Sequence, residues 1–115
     1  MDTPPVTVDY DRSGRQLTVY LTGALDEETA PPLSESIIQH ITPDDEEVRI
    51  DVAGVTACDP DGASLLLGLH DYVGGLGGRL TIYCPSPCLE QVLTACGVDR
   101  ALSIWSQPAA AQPRP

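Results

Sequence analysis

The sequence predicts a single small α/β domain, built on a mixed sheet of four to five strands with an N-terminal β-hairpin and helices packed on the sheet. Three observations predict it. Two short segments near the start alternate apolar and polar residues, and helix-period and strand-period segments then take turns along the chain. The 115 residues, 42% hydrophobic and 20% charged, suffice for one hydrophobic core and not for two.

The elements follow in order. Val6, Val8 and Tyr10 share one face of a first segment, and Leu17, Val19 and Leu21 share one face of a second, with Asp11, Arg12, Ser13 and Gly14 between them as turn residues. Asp26 is an N-cap candidate followed by Glu27 and Glu28, and Leu33, Ile37 and Ile41 then recur at helical spacing. Because Pro31 and Pro32 fit only the first turns, the regular helix is expected to begin nearer Ala30 than Asp26. After the acidic break Thr42 to Glu47, expected as a solvated loop around Asp44, Asp45, Glu46 and Glu47, Val48, Ile50 and Val52 alternate as a third strand, and Gly54 to Gly62 reads as a turn. Leu66, Leu69, Val73 and Leu76 carry a second helix from Gly62, with Leu65 and Leu67 widening its apolar arc, until Gly74, Gly75, Gly77 and Gly78 break it. Leu80, Ile82 and Cys84 read as strand four. Ser86 and Pro87 open a third helix through Leu89, Val92, Leu93 and Cys96, stopped by Gly97. Val98 to Trp105 suffices for a short docked turn or edge segment, with Trp105 packing it onto the sheet. The domain is expected to span 1–106, and the Ala, Pro and Gln residues of 107–115 to form a disordered tail. Alternating strands and helices imply parallel pairing with right-handed crossovers.

Composition excludes several chemistries. The formal charge is −11, and all six basic residues are arginines: Arg12, Arg15, Arg49, Arg79, Arg100 and Arg114. Without lysine there is no Schiff base, no P-loop phosphate lysine and no lysine base. The acidic balance argues against nucleic acid and anionic lipid as partners. Met1 to Thr7 carry neither a basic nor an apolar leader pattern, and no apolar run approaches the roughly 20 residues of a membrane span, so a cytoplasmic protein is expected. Cys58, Cys84, Cys88 and Cys96 lack paired C-x-x-C spacing. They are expected to be reduced, small, buried hydrophobes rather than zinc ligands with His40 or His70, and no metal or cofactor is expected. His40 and His70 are given no role.

Function in an open α/β sheet gathers beyond the carboxyl ends of strands, at helix N-termini. Here that loop is Thr56 to Gly62, with two carboxylates at the positive end of the second helix, and the candidate binding loop is Cys58, Asp59, Pro60, Asp61, Gly62, Ala63 and Ser64. On one reading Asp61 simply caps that helix; on the other it is a functional charge. Asp59 and Asp61 begin like a calcium loop, but the later ligands are missing, and a phospho-accepting receiver site needs a lysine.

The chain resembles the STAS domain, in particular the anti-sigma factor antagonists of bacteria. The resemblance rests on Leu21-Thr22-Gly23-Ala24-Leu25-Asp26 with Thr29-Ala30, Ile50-Asp51-Val52-Ala53-Gly54-Val55, Cys58-Asp59-Pro60-Asp61-Gly62 running into Leu65-Leu66-Leu67-Gly68, and Gly97-Val98-Asp99 before Leu102. It implies a non-catalytic regulatory module, favoured as a monomer, whose partner is an anti-sigma factor that is itself a serine kinase. The family's Asp-Ser-Ser-Gly loop is phosphorylated on its second serine. Alignment on Asp59 and Gly62 sets Pro60 at the first serine and Asp61 at the phosphoacceptor. A fixed carboxylate imitates phosphoserine only in part and cannot be switched by a kinase. Thr56 and Ser64 are the hydroxyls near enough to serve as displaced acceptors. The alternative role is a non-catalytic STAS subunit of a transporter or a stress-signalling complex.

Overall fold

The computed structural model describes residues 6–105; the expected tail lies outside them. Strands β1 (Val6–Ser13) and β2 (Gln16–Leu25) pair antiparallel, with Ser13 opposite Gln16. The turn is therefore only Gly14 and Arg15, and Gly14 takes φ 61°, as a tight two-residue hairpin requires. The expected turn at Asp11 to Gly14 is corrected: Asp11 and Arg12 belong to β1, opposite Thr18 and Leu17.

Helix α1 (Ala30–His40) admits Pro31 and Pro32 in its first turn and buries Ala30, Leu33 and Ile37. Its N-cap is Thr29, not Asp26. Asp26 instead closes the preceding turn: its Oδ1 accepts the N–H of Glu28 at 2.9 Å and of Thr29 at 3.0 Å, while Thr29 Oγ1 accepts the N–H of Asp26 at 2.9 Å. The Thr29 N–H above all holds the Asp26 carboxyl below its ordinary pKa.

Strand β3 (Glu47–Cys58) is longer than expected. The segment Gly54 to Cys58, read as a turn, goes on pairing with Thr22 to Leu25 across two register shifts. Gly54 permits this, because a Cβ there would sit 2.8 Å from Thr22 Oγ1. Helix α2 (Pro60–Gly75) follows, then β4 (Arg79–Tyr83), α3 (Pro87–Cys96), a 3₁₀ turn at Val98–Arg100 and β5 (Ser103–Trp105). Cys84, expected in the fourth strand, lies just past it at φ 56° and donates its N–H to Trp105 O at 2.7 Å. Gly97 ends α3 in the left-handed region at φ 76°.

The sheet order is β1-β2-β3-β4-β5, antiparallel at the hairpin and parallel elsewhere. Three crossovers advance the same way across the sheet, so right-handedness puts α1, α2 and α3 on one face. The inward side chains of the central strands, among them Val19, Ile50, Val52 and Ile82, join Ile37, Leu66, Leu69, Leu89 and Leu93 in one core.

Two side-chain expectations change, and a third, the packing of Trp105 onto the sheet, holds. Asp45, read as solvated, is buried at 3% exposure: it pairs with Arg12 and accepts the Thr42 N–H at 2.9 Å. The cysteines are not core residues. Cys58, Cys84 and Cys88 are half-buried, Cys96 is exposed, and all four are free thiols. Trp105 is 49% exposed and stacks on Tyr83 with ring centroids 6.3 Å apart. Among the described residues no three His, Cys, Asp or Glu side chains converge as a metal site, and no helix is long and apolar enough to cross a membrane.

Candidate functional site

The seven-residue segment expected as a loop is a strand–helix junction. Cys58 is the last residue of β3, Asp59 is the N-cap, and Pro60 to Ser64 form the first turns of α2. The Asp59 N–H donates to Leu25 O at 3.0 Å, carrying the β2–β3 pairing one bond further. Its backbone is extended, at φ −112° and ψ −179°, and its Oδ1 accepts the N–H groups of Asp61 at 2.9 Å and Gly62 at 3.1 Å. Asp59 is thus the cap, which corrects the capping role considered for Asp61.

That division of labour leaves Asp61 exposed in the first turn of α2. Its carboxylate makes no hydrogen bond to another described side chain or amide, and the N-terminal dipole of α2 favours its charge. It lines a shallow cleft with Ser64 and Leu65 of α2 on one wall and Glu27, Pro31 and Ser34 on the other. The contribution from around α1 was not read from the sequence. Its signal was the pairing of Leu25 with Cys58, which brings the ends of β2 and β3 side by side and so sets the turn after Leu25 next to the start of α2.

Gly62 lets α2 lie this close to the sheet. A Cβ there would meet Cys58 Sγ at 2.7 Å, Leu25 Cβ at 2.8 Å and Leu25 O at 2.9 Å. Burial, reinforced by the Asp59 carboxylate, pushes the Cys58 thiol up to about 11, so it is a poor nucleophile. Of the two neighbouring hydroxyl residues, Ser64 is exposed and lies one helical turn past Asp61, while Thr56 is exposed on β3, before the junction. The geometry offers an exposed fixed charge beside a cleft, with Asp59, Pro60 and Gly62 holding it in place.

Across this frame, the family model described as Mlab, STAS domain, matches residues 8–104. The chain belongs to the STAS domain family. The STAS fold extends to solved structures. An anti-sigma factor antagonist from Mycobacterium paratuberculosis is 19% identical, with 91% of this chain and 90% of that one covered and a TM-score of 0.78. The anti-sigma factor antagonist SpoIIAA in its unphosphorylated form is 18% identical over 85% of this STAS chain and 87% of its own, with a TM-score of 0.71. The same fold occupies 19% of the longer chain of SLC26A9, covering 87% of this one at 14% identity and a TM-score of 0.74.

Proposed function

We propose that this STAS domain is a regulatory, non-catalytic protein-binding module of the anti-sigma factor antagonist kind, acting in the cytoplasm as a monomer. It docks a serine-kinase-like anti-sigma factor through the β3–α2 junction, Cys58 to Ser64. Asp61 stands in the position of the phosphoacceptor serine as a permanent negative charge. The observation that carries this reading is the separation of roles at the junction: Asp59 caps α2, so Asp61 is surplus to the helix and its carboxylate faces solvent. A charge held on a docking surface sets partner choice, since it repels an acidic surface and is costly to desolvate against an apolar one.

A second reading keeps the same surface and changes the setting. The fold occurs within a longer chain in SLC26A9; on this reading the domain is a non-catalytic STAS subunit of a transporter or a stress-signalling complex. Capture of native partners on the immobilised chain separates the two: a kinase-like regulator supports the first, a membrane transport complex the second.

The test of the fixed-charge reading is incubation with a serine-kinase-like anti-sigma factor and ATP, followed by intact-mass measurement. The wild-type chain keeps its mass and the Asp61→Ser chain gains one phosphate at residue 61. A phosphate on the wild-type chain, mapped to Ser64 or Thr56, contradicts the proposal and restores an ordinary switch at a shifted position.

A further inference from the structure

Three of the four thiols gather on two elements that pack on each other. Cys58 ends β3, while Cys88 and Cys96 lie on α3 with Val92 between them, four residues from each and so along one side of the helix. The strand is open to α3 here: β4 accompanies β3 only as far as Asp51, opposite Tyr83, and α3 packs on β3. Thr56 is the extra residue of a bulge, because Val55 and Ala57 pair with the consecutive residues Gly23 and Ala24 of β2. Its carbonyl accepts from Cys88 Sγ at 3.6 Å. The Cys88 sulfur is thereby set against the strand two residues before Cys58, at most about 7 Å of chain away.

The two thiols are of opposite kinds. Cys88 follows Pro87 in the first turn of α3, where free N–H groups favour negative charge; it is only half-buried, and Ser86 Oγ lies 3.2 Å from its sulfur. Cys58 keeps its proton: burial, then the Asp59 carboxylate, then Cys88 and Cys96 themselves hold it on. The α3 thiols therefore lie within electrostatic reach of Cys58, which is slow toward reagents in solution. Cys88 and Cys96 cannot pair with one another, since eight helical residues set them about 12 Å apart, about twice the Cα separation of a disulfide.

We propose that Cys88 and Cys58 form a peroxide-sensitive dithiol that closes to a disulfide between α3 and the end of β3. The Cys88 thiolate attacks hydrogen peroxide and breaks its O–O bond; the sulfur becomes a sulfenic acid, and the departing hydroxide takes a proton and leaves as water. The Cys58 thiol then attacks the sulfenic sulfur. The S–S bond forms as the S–O bond breaks, and the hydroxide leaves with the Cys58 proton as a second water. Two thiols and one peroxide thus give one disulfide and two waters, and a thiol reductant reopens the bond. Cys58 precedes the Asp59 cap and lies against Gly62, so the disulfide fastens α3 to the junction that carries Asp61. Its effect on docking rests on the function proposed above; the bond itself does not.

The reaction is read on the chain alone, without a partner, so its failure and that of the docking proposal are separate results. Dilute reduced chain is treated with equimolar hydrogen peroxide, the remaining thiols are blocked, and the non-reduced tryptic digest is weighed. Cleavage at Arg49, Arg79 and Arg100 puts Cys58 in peptide 50–79 and Cys84, Cys88 and Cys96 in peptide 80–100. The expected product is these two peptides joined, lighter by two hydrogens, with fragmentation placing the bond at Cys88. Cys88→Ser should abolish the joined product, Cys96→Ser should leave it, and dithiothreitol should reverse it. Unjoined peptides from the oxidised wild-type chain, a bond from Cys58 to Cys84 or Cys96, or a link between two chains overturns the proposal.

Discussion

The Asp59 carboxylate accepts the N–H of Asp61 at 2.9 Å, so one of the two neighbouring acids fixes the helix and the other is left for the surface. Their substitutions should separate accordingly. Asp59→Ala removes the side-chain acceptor for two amides and should lower the unfolding free energy by about 0.5–2 kcal/mol. Asp61→Ala loses only the favourable dipole interaction, about 0.3–1 kcal/mol. Urea unfolding of both variants checks the order, and a larger loss at Asp61 contradicts this assignment.

Two glycines of α2 should respond with opposite signs. Gly62→Ala drives a methyl into Cys58 Sγ and the Leu25 backbone, and should destabilise the fold by about 1–3 kcal/mol despite alanine's better helix propensity. Beyond its own turn of helix, Gly68 has no heavy atom within 4 Å of its would-be Cβ, so Gly68→Ala should stabilise by up to about 1 kcal/mol. Thermal unfolding of the pair, read against wild type, checks both signs.

Arg12 ties the far end of β1 to the α1–β3 connection. It pairs with the buried Asp45 and donates to His40 O at 2.7 Å. Arg12→Ala leaves the Asp45 carboxylate buried with Thr42 as its remaining neighbour of this set, and should cost about 1–3 kcal/mol. Asp45→Asn retains an acceptor for the Thr42 N–H and should cost less than Asp45→Ala. Chemical denaturation of the three variants ranks them.

The thiols should differ in reactivity. Cys58 at about 11 is roughly one thousandth thiolate at pH 8, whereas Cys96 is exposed, so iodoacetamide should modify Cys96 early and Cys58 last. The stability effect has a definite sign. The folded chain keeps the Cys58 proton between the ordinary thiol value of 9.0 and about 11 while the unfolded chain gives it up. The resulting stabilisation is full below pH 9 and is lost as pH rises through this window. Cys58→Ala should flatten that alkaline decline, which pH-resolved unfolding measures.

Much of this architecture was legible in the chain because the buried faces keep their periods: Leu17, Val19 and Leu21 at two, Leu66, Leu69 and Val73 near 3.6. The ends were less so. Gly54, Thr56 and Ala57 look like turn residues, yet they continue β3 because β2 remains beside them to take the hydrogen bonds. Asp59 and Asp61 have the same side chain, and what decides between them is Pro60: proline at the first helical position makes the residue before it the cap. The burial of Asp45 had no local signal, since its cation lies 33 residues away on β1. The capping role considered for Asp61 therefore falls to Asp59.

The central claim is that the Asp61 charge acts on a partner and not on the fold. Calorimetric titration of wild type, Asp61→Ser and Asp61→Asn against a serine-kinase-like anti-sigma factor tests it most directly. With the charge removed, both variants should bind about 5- to 150-fold more tightly, in line with about 1–3 kcal/mol for a partly desolvated charge, while their unfolding free energies stay within about 1 kcal/mol of wild type. Equal affinities for all three chains would contradict the account and reduce Asp61 to a solvated first-turn residue of α2.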